Sequence, residues 1–149
     1  MSKRDEYGQL LEGKIRTLVE KQGSVISKVG QDLYESFENG GVWHLFGTGH
    51  SHMALEEAFH RAGGLIPVSP WLEEYFMPHA GPSRNGPMER LSGLAEIVFK
   101  VYAPRKGECL TIISNSGINA TSVEMAMIAK ENGLKVSAIT NIEHAKATK

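Results

Sequence analysis

One cysteine stands in the whole chain, so no internal disulfide can staple it. That cysteine, Cys109, heads an apolar run and reads as a buried thiol rather than a nucleophile. Charge of either sign is barely in excess: 16 Lys and Arg against 17 Asp and Glu leave a formal −1. Domains that grip nucleic acid through charge carry a clear basic excess, so no nucleic-acid partner is expected. A local anion site is still open to this chain, because backbone N–H groups hold an anion without formal charge. No apolar run approaches the ~18 residues of a membrane span, and the N-terminus has no signal-peptide pattern. No membrane partner is expected, and the cytoplasm is the expected location. Internal repeats, low-complexity tracts and long linkers are also lacking. At 149 residues the chain suits one domain with a real core.

What the chain does have is an alternation of short apolar runs and helical patterns after a long helical start. Leu10, Leu11, Ile15, Leu18 and Val19 form one apolar stripe, and Val25, Ile26, Val29, Leu33 and Phe37 another. Gln22-Gly23-Ser24 is placed to bend or break the helix between them, and Asn39-Gly40-Gly41 to stop it. Strands are expected at 42–46, 65–68, 110–113 and 134–140, with helices at 51–62, 88–102 and 119–131. Pro67 confines the second strand to an edge or an end. Residues 69–87, rich in proline and glycine, read as a long loop with a helical turn near 72–76, and this loop, which carries His79, is a candidate lid. Such alternation predicts a three-layer α/β fold: a doubly wound parallel sheet with helices on both faces, preceded by N-terminal helices. Residues 1–40 are then a helical segment packing on the domain or on a partner, and 41–149 the α/β domain. The polar, basic end from Thr140 to Lys149 comes where another helix and strand are expected, so the domain reads as incomplete at its C-terminus.

Two turns carry the chemistry. Gly47-Thr48-Gly49-His50-Ser51-His52 follows the first strand, and Ser114-Asn115-Ser116-Gly117-Ile118-Asn119 follows the third. A hydroxyl-rich turn from a strand to a helix N-terminus offers unpaired N–H groups and the positive dipole end to an anion. Glycines admit close approach, and serine and threonine add donors. In a doubly wound sheet both turns belong beyond the carboxyl ends of the strands, where ligands sit. Gly47, Thr48, Gly49, Ser51, Ser114, Asn115, Ser116 and Asn119 are the expected phosphate-binding residues. The first turn is not G-x-G-x-x-G, which speaks against a dinucleotide or flavin domain, and no cofactor is expected. The His50-x-His52 pair lacks the spacing of a zinc motif, and no metal is expected.

These residues at this order and spacing resemble the sugar isomerase (SIS) phosphosugar-binding domains, and within them a bacterial subgroup of unassigned function. The resemblance rests on Phe46–His52, Glu57–Gly64, Ile113–Gly117 and Ile139–His144. It implies a three-layer sandwich around a five-stranded parallel sheet, of which this chain covers about four strands, and pairing into homodimers or larger homo-oligomers through helices. It also implies that Ser114 and Ser116 hold a sugar phosphate and that Ser51 touches the ligand; Asn119 stands where the family often has threonine.

Aldose–ketose isomerisation needs a base to move a proton between adjacent carbons and an acid at the carbonyl oxygen. Glu57 and His60, three apart on the expected helix, would share a face. His144, beyond the fourth strand, is a third candidate. The leading expectation is therefore a phosphosugar-binding protein, acting as a sugar-phosphate isomerase if it is an enzyme, with Glu57, His60 and His144 as the proton-handling residues. The alternatives are a non-catalytic phosphosugar sensor and, less favoured, a nucleotide-binding domain. Trp43 and Trp71 are expected as anchors of core or loop, and Glu73-Glu74 as a solvated pair.

Overall fold

In the computed structural model, residues 1–147 are described. Helix α1 (Lys3–Glu38) opens the chain. Strand β1 (Trp43–Gly47) and helix α2 (His52–Ala58) follow, then strand β2 (Val68–Pro70). Helices α3 (Pro82–Glu89) and α4 (Leu94–Tyr102) lead to strand β3 (Cys109–Ile113). Helix α5 (Ala120–Glu131), strand β4 (Lys135–Ile139) and helix α6 (Ile142–Ala147) complete the described chain. The four strands form one sheet in the order β2-β1-β3-β4, and every pairing is parallel. The order reverses between β1 and β3, so this adjacent pair is the switch point of a doubly wound sheet. Pro70 closes β2, and β2 is an edge strand, the place where a missing N–H costs no ladder bond.

Alternate residues send the core to both faces. Phe46, Leu110 and Ile112 pack with Leu94, Ala95, Val98 and Phe99 of α4 and with Met125 and Ala129 of α5. On the opposite face Leu45 and Val68 pack on Leu55, with Ala58 of α2 and Ile113 against them. The C-terminal end of α1 reaches the same side as α2, where the Cys109 thiol donates to the Asp32 carbonyl at 3.3 Å. Burial pushes the Cys109 thiol above its ordinary range, in keeping with a packing residue. Trp71 is fully buried and stacks on Tyr102 with ring centroids 4.9 Å apart, while Trp43 donates to the Thr111 hydroxyl at 2.9 Å. Both tryptophans are thus anchors.

Several sequence expectations shift. The N-terminal segment is one helix, not two. Gly23 costs about 1 kcal/mol relative to alanine at a helix interior, which a 36-residue ladder absorbs. Its apolar stripe stays in water: Leu10, Leu11, Ile15, Leu18 and Val19 are all exposed, and Ser36 is the buried residue of this helix. Helix α2 ends at Ala58, because Phe59 is extended and His60 takes a positive φ of 50°. The helix expected over 88–102 is split by Gly93, whose φ of +84° is left-handed. The proline-rich loop is largely ordered into 3-10 turns at Glu74–Phe76 and Pro78–Ala80 followed by α3, in which Pro82 takes the favoured first position. The expected polar tail instead forms α6 over Ile142–Ala147; residues 148 and 149 lie outside the described residues.

A buried polar hub closes the amino end of the sheet, away from the switch-point turns. Trp71 Nε1 donates to His44 Nδ1 (3.2 Å), which leaves His44 Nε2 to donate to Glu108 Oε2 (2.9 Å). Glu108 also accepts from the backbone of Val42 (3.2 Å) and Arg105 (2.6 Å) and from the Arg105 guanidinium (2.8 and 2.9 Å). Burial opposes the charge on Glu108, but the hydrogen bonds from His44 and Arg105 outweigh it and hold the carboxyl below its ordinary 4.5. A lowered folded-state value contributes stability that is present above the unfolded value and is lost as pH falls through the folded one. Denaturant titrations should therefore show a stability loss below about pH 4.5 that is smaller in Glu108→Gln. Glu108→Ala should cost about 3 kcal/mol at neutral pH by stranding its buried donors.

Candidate functional site

The carboxyl ends of β1 and β3 hold the two glycine and hydroxyl turns side by side. Gly47 pairs in register with Ile113. A Cβ on Gly47 would come within 2.9 Å of the Ile113 carbonyl oxygen and within 2.9 Å of Ser51 Cβ, so only glycine lets the first turn lie this close to β3. Beyond it Thr48 is extended, Gly49 takes a φ of +59°, and residues Gly49–Ser51 form a 3-10 turn into α2.

The second turn is tied on its own terms. Ser114 N–H donates to the Ile139 carbonyl (3.0 Å), and the Gly117 N–H donates to Ser114 Oγ (3.1 Å). Ser114 is thus a hinge of its own turn, with its hydroxyl proton left to give. Asn141 N–H donates to the Asn115 carbonyl (3.1 Å), which ties the end of β4 to the same turn. Gly117 has φ +64°, and a Cβ there would sit 2.7 Å from Thr140 Oγ1. Asn119 occupies the N-cap of α5 without a side-chain cap bond, so the first N–H groups of that helix are not taken by their cap residue.

Together the turns line one cavity of about 270 Å³. Thr48, Gly49 and Ser51 come from the first turn, and Ser114, Asn115, Ser116 and Asn119 from the second. Gly47 lies just beneath, as a spacer rather than a wall. Three further residues line it: His50, Asn85 and Glu89. Asn85 and Glu89 are four apart on α3 and share a face. Asn85 donates to the Phe76 carbonyl at 2.7 Å and lies over Gly49. Glu89 Oε2 accepts the Thr48 hydroxyl at 2.8 Å. Sequence reading missed both, because Pro82, Gly86 and Pro87 hid the helix that carries them; the four-residue spacing was the one available signal.

The expected proton-handling residues lie elsewhere. Glu57 is exposed on α2 and ion-pairs with Arg61. His60 is exposed past the end of α2, so the two share no helical face. His144 is exposed on α6, where its N–H donates to Asn141 Oδ1 at 3.1 Å. None of the three lines the cavity. His52 is 2% exposed with neither ring nitrogen hydrogen-bonded, and burial pushes its imidazole below the ordinary range. Among the described residues, no three His, Cys, Asp or Glu side chains are grouped to hold a metal ion.

Comparison with known proteins places this geometry. The family model of the SIS domain matches residues 6–141. UPF0309 proteins are similar along nearly the whole chain. That of Halalkalibacterium halodurans is 34% identical over 95% of this chain and 56% of its own length. That of Caldanaerobacter subterraneus is 39% identical over 97% and 59%. The chain thus spans little more than half the length of these curated relatives. Two solved phosphoheptose isomerases share the fold. The one from Francisella tularensis has TM-score 0.63 and 19% identity over 94% of this chain and 75% of its own. The one from Neisseria gonorrhoeae has TM-score 0.64 and 20% identity over 99% and 80%.

The contact of Gly47 with β3 makes the cavity sensitive to one methyl group. Gly47→Ala should destabilise the fold by about 1–3 kcal/mol in denaturant unfolding, because the clash is with backbone and cannot be relieved by a side-chain rotation.

Proposed function

This chain belongs to the SIS domain family, and on that footing we propose that it binds a phosphorylated sugar in the cavity between β1 and β3. The observation that carries the reading is the convergence of both hydroxyl turns on one cavity at the switch point of the sheet. The phosphate lies against the second turn and the N-terminus of α5, where Ser114, Ser116 and Asn119 give donors. Ser51, Thr48 and the Gly49 turn close the other side. The shared fold with phosphoheptose isomerases supports a sugar phosphate over other anions.

If the ligand is turned over, aldose–ketose isomerisation is the reaction the cavity suits. Its two titratable side chains are His50 and Glu89, and His50 is the group we assign to carry the proton. Glu57, His60 and His144 would take part only where a second copy completes the site. Such a copy is itself part of the proposal. Helix α1 is 36 residues long, ~54 Å, and its apolar stripe at Leu11, Ile15 and Leu18 is in water. Association of two copies through that stripe removes the exposed surface. The cytoplasm is the location this chemistry fits.

Thermal shift with hexose, heptose and amino-sugar phosphates tests the binding. At least one should raise the melting temperature, and Ser116→Ala should weaken its binding about tenfold. No shift with any of them, or no change on substitution, would sink the assignment. Turnover of the bound sugar would mark an isomerase, and binding without turnover a sensor. For assembly, sedimentation equilibrium should give a dimer or larger, and Ile15→Asp with Leu18→Asp should give monomer.

A further inference from the structure

The lining of the cavity is polar, and its one basic side chain is the exposed imidazole of His50. Among the described residues that form it, none is lysine or arginine, and the one carboxylate is Glu89. A phosphate there is held by neutral donors: serine hydroxyls, side-chain amides and the N–H groups of α5. Neutral donors of this kind suffice for an anion. They do not offset a second negative charge in the same cavity. Bound phosphate brings about −1.5 to −2 charges at pH 7, and Glu89 adds another when ionised.

Glu89 is poorly neutralised by its own surroundings. The Arg90 guanidinium is its nearest cation and stands 4.0 Å from Oε1. That guanidinium is 67% exposed, and it donates to the Gly86 carbonyl at 2.9 Å. The Glu89 side chain is only 15% exposed, so water screens it little. Oε2 is taken by Thr48, while Oε1 accepts no hydrogen bond from the described residues. Holding Thr48 in place does not call for a charge, since an amide oxygen would accept the same hydroxyl. The charge is left to act on whatever fills the cavity.

Building on the phosphosugar reading above, we propose that the preferred ligand is an amino-sugar phosphate, whose ammonium group pairs with Glu89 while its phosphate lies on the β3 turn. Such a ligand brings an ammonium group to a lining that holds no lysine or arginine. It gains a charge-assisted hydrogen bond at Glu89 Oε1 and relieves the repulsion between Glu89 and the phosphate. A sugar with a hydroxyl at that position gains one neutral-donor bond and leaves the repulsion in place.

Calorimetric titration of the chain with glucosamine 6-phosphate, glucose 6-phosphate and N-acetylglucosamine 6-phosphate separates the possibilities. Glucosamine 6-phosphate should bind about tenfold more tightly than glucose 6-phosphate. The acetylated sugar, which keeps the nitrogen but loses the charge, should bind no better than glucose 6-phosphate. In Glu89→Gln, which keeps an acceptor for Thr48, the preference should fall to within about twofold. Equal affinity of the unmodified chain for the amine and the hydroxyl would overturn the proposal while leaving the phosphosugar reading intact. So would a preference that survives Glu89→Gln. Binding of none of the three, nor of any sugar phosphate in the wider panel, would overturn the phosphosugar reading and this proposal with it.

Discussion

The parallel pairing of β1 with β3 is the contact on which the rest of this structure depends. It brings into register two strands that lie 66 residues apart at the Gly47–Ile113 pair, and it does so with a glycine where any side chain would meet a carbonyl. Pairing non-consecutive strands creates the reversal in strand order, and the reversal opens a crevice at the carboxyl ends. Each strand then delivers its turn to the same crevice. The core on both faces follows from the same ladder, since alternate residues of β1 and β3 must be covered by α4 and α5 on one side and α2 on the other.

The two ends of that ladder are built from opposite materials. At the amino end, His44, Trp71, Glu108 and Arg105 form a closed polar network in which the Glu108 carboxylate takes donors from two side chains and two backbone groups. Buried charge is tolerable there because its partners are complete. At the carboxyl end the polar groups are left open: the Asn119 side chain does not cap α5, and Ser116 lines the cavity. Closed hydrogen bonding is concentrated at one edge and open polar groups at the other, which is how a small domain keeps an open cavity without losing its fold.

Much of this was legible residue by residue. Apolar runs bounded by glycine marked all four strands, with β2 displaced by about three residues because Pro67 and Pro70 blur its edge. The turns declared themselves through glycine and hydroxyl clustering, and their place on the first and third strands put them on one sheet edge. Helix ends were less legible. Gly23 looked like a break and is not one, since a long ladder tolerates a single glycine; Gly93 looked like helix interior and is a break, since Leu94 and Ala95 must turn into the core. Glu57 and His60 seemed to share a face only as long as α2 was taken to run past Ala58.

The sequence by itself determined the parallel α/β class, the two glycine and hydroxyl turns and the charge balance, because each is written in local composition and spacing. The tertiary structure decided which side chains share a cavity. Asn85 and Glu89 reach it from a helix whose prolines disguise it, and they reach it only because α3 packs over the end of β1, where Thr48 gives Glu89 its hydrogen bond. Local pattern records what a segment tends to form; proximity between residues 41 apart depends on how all the segments pack, and no spacing rule encodes that.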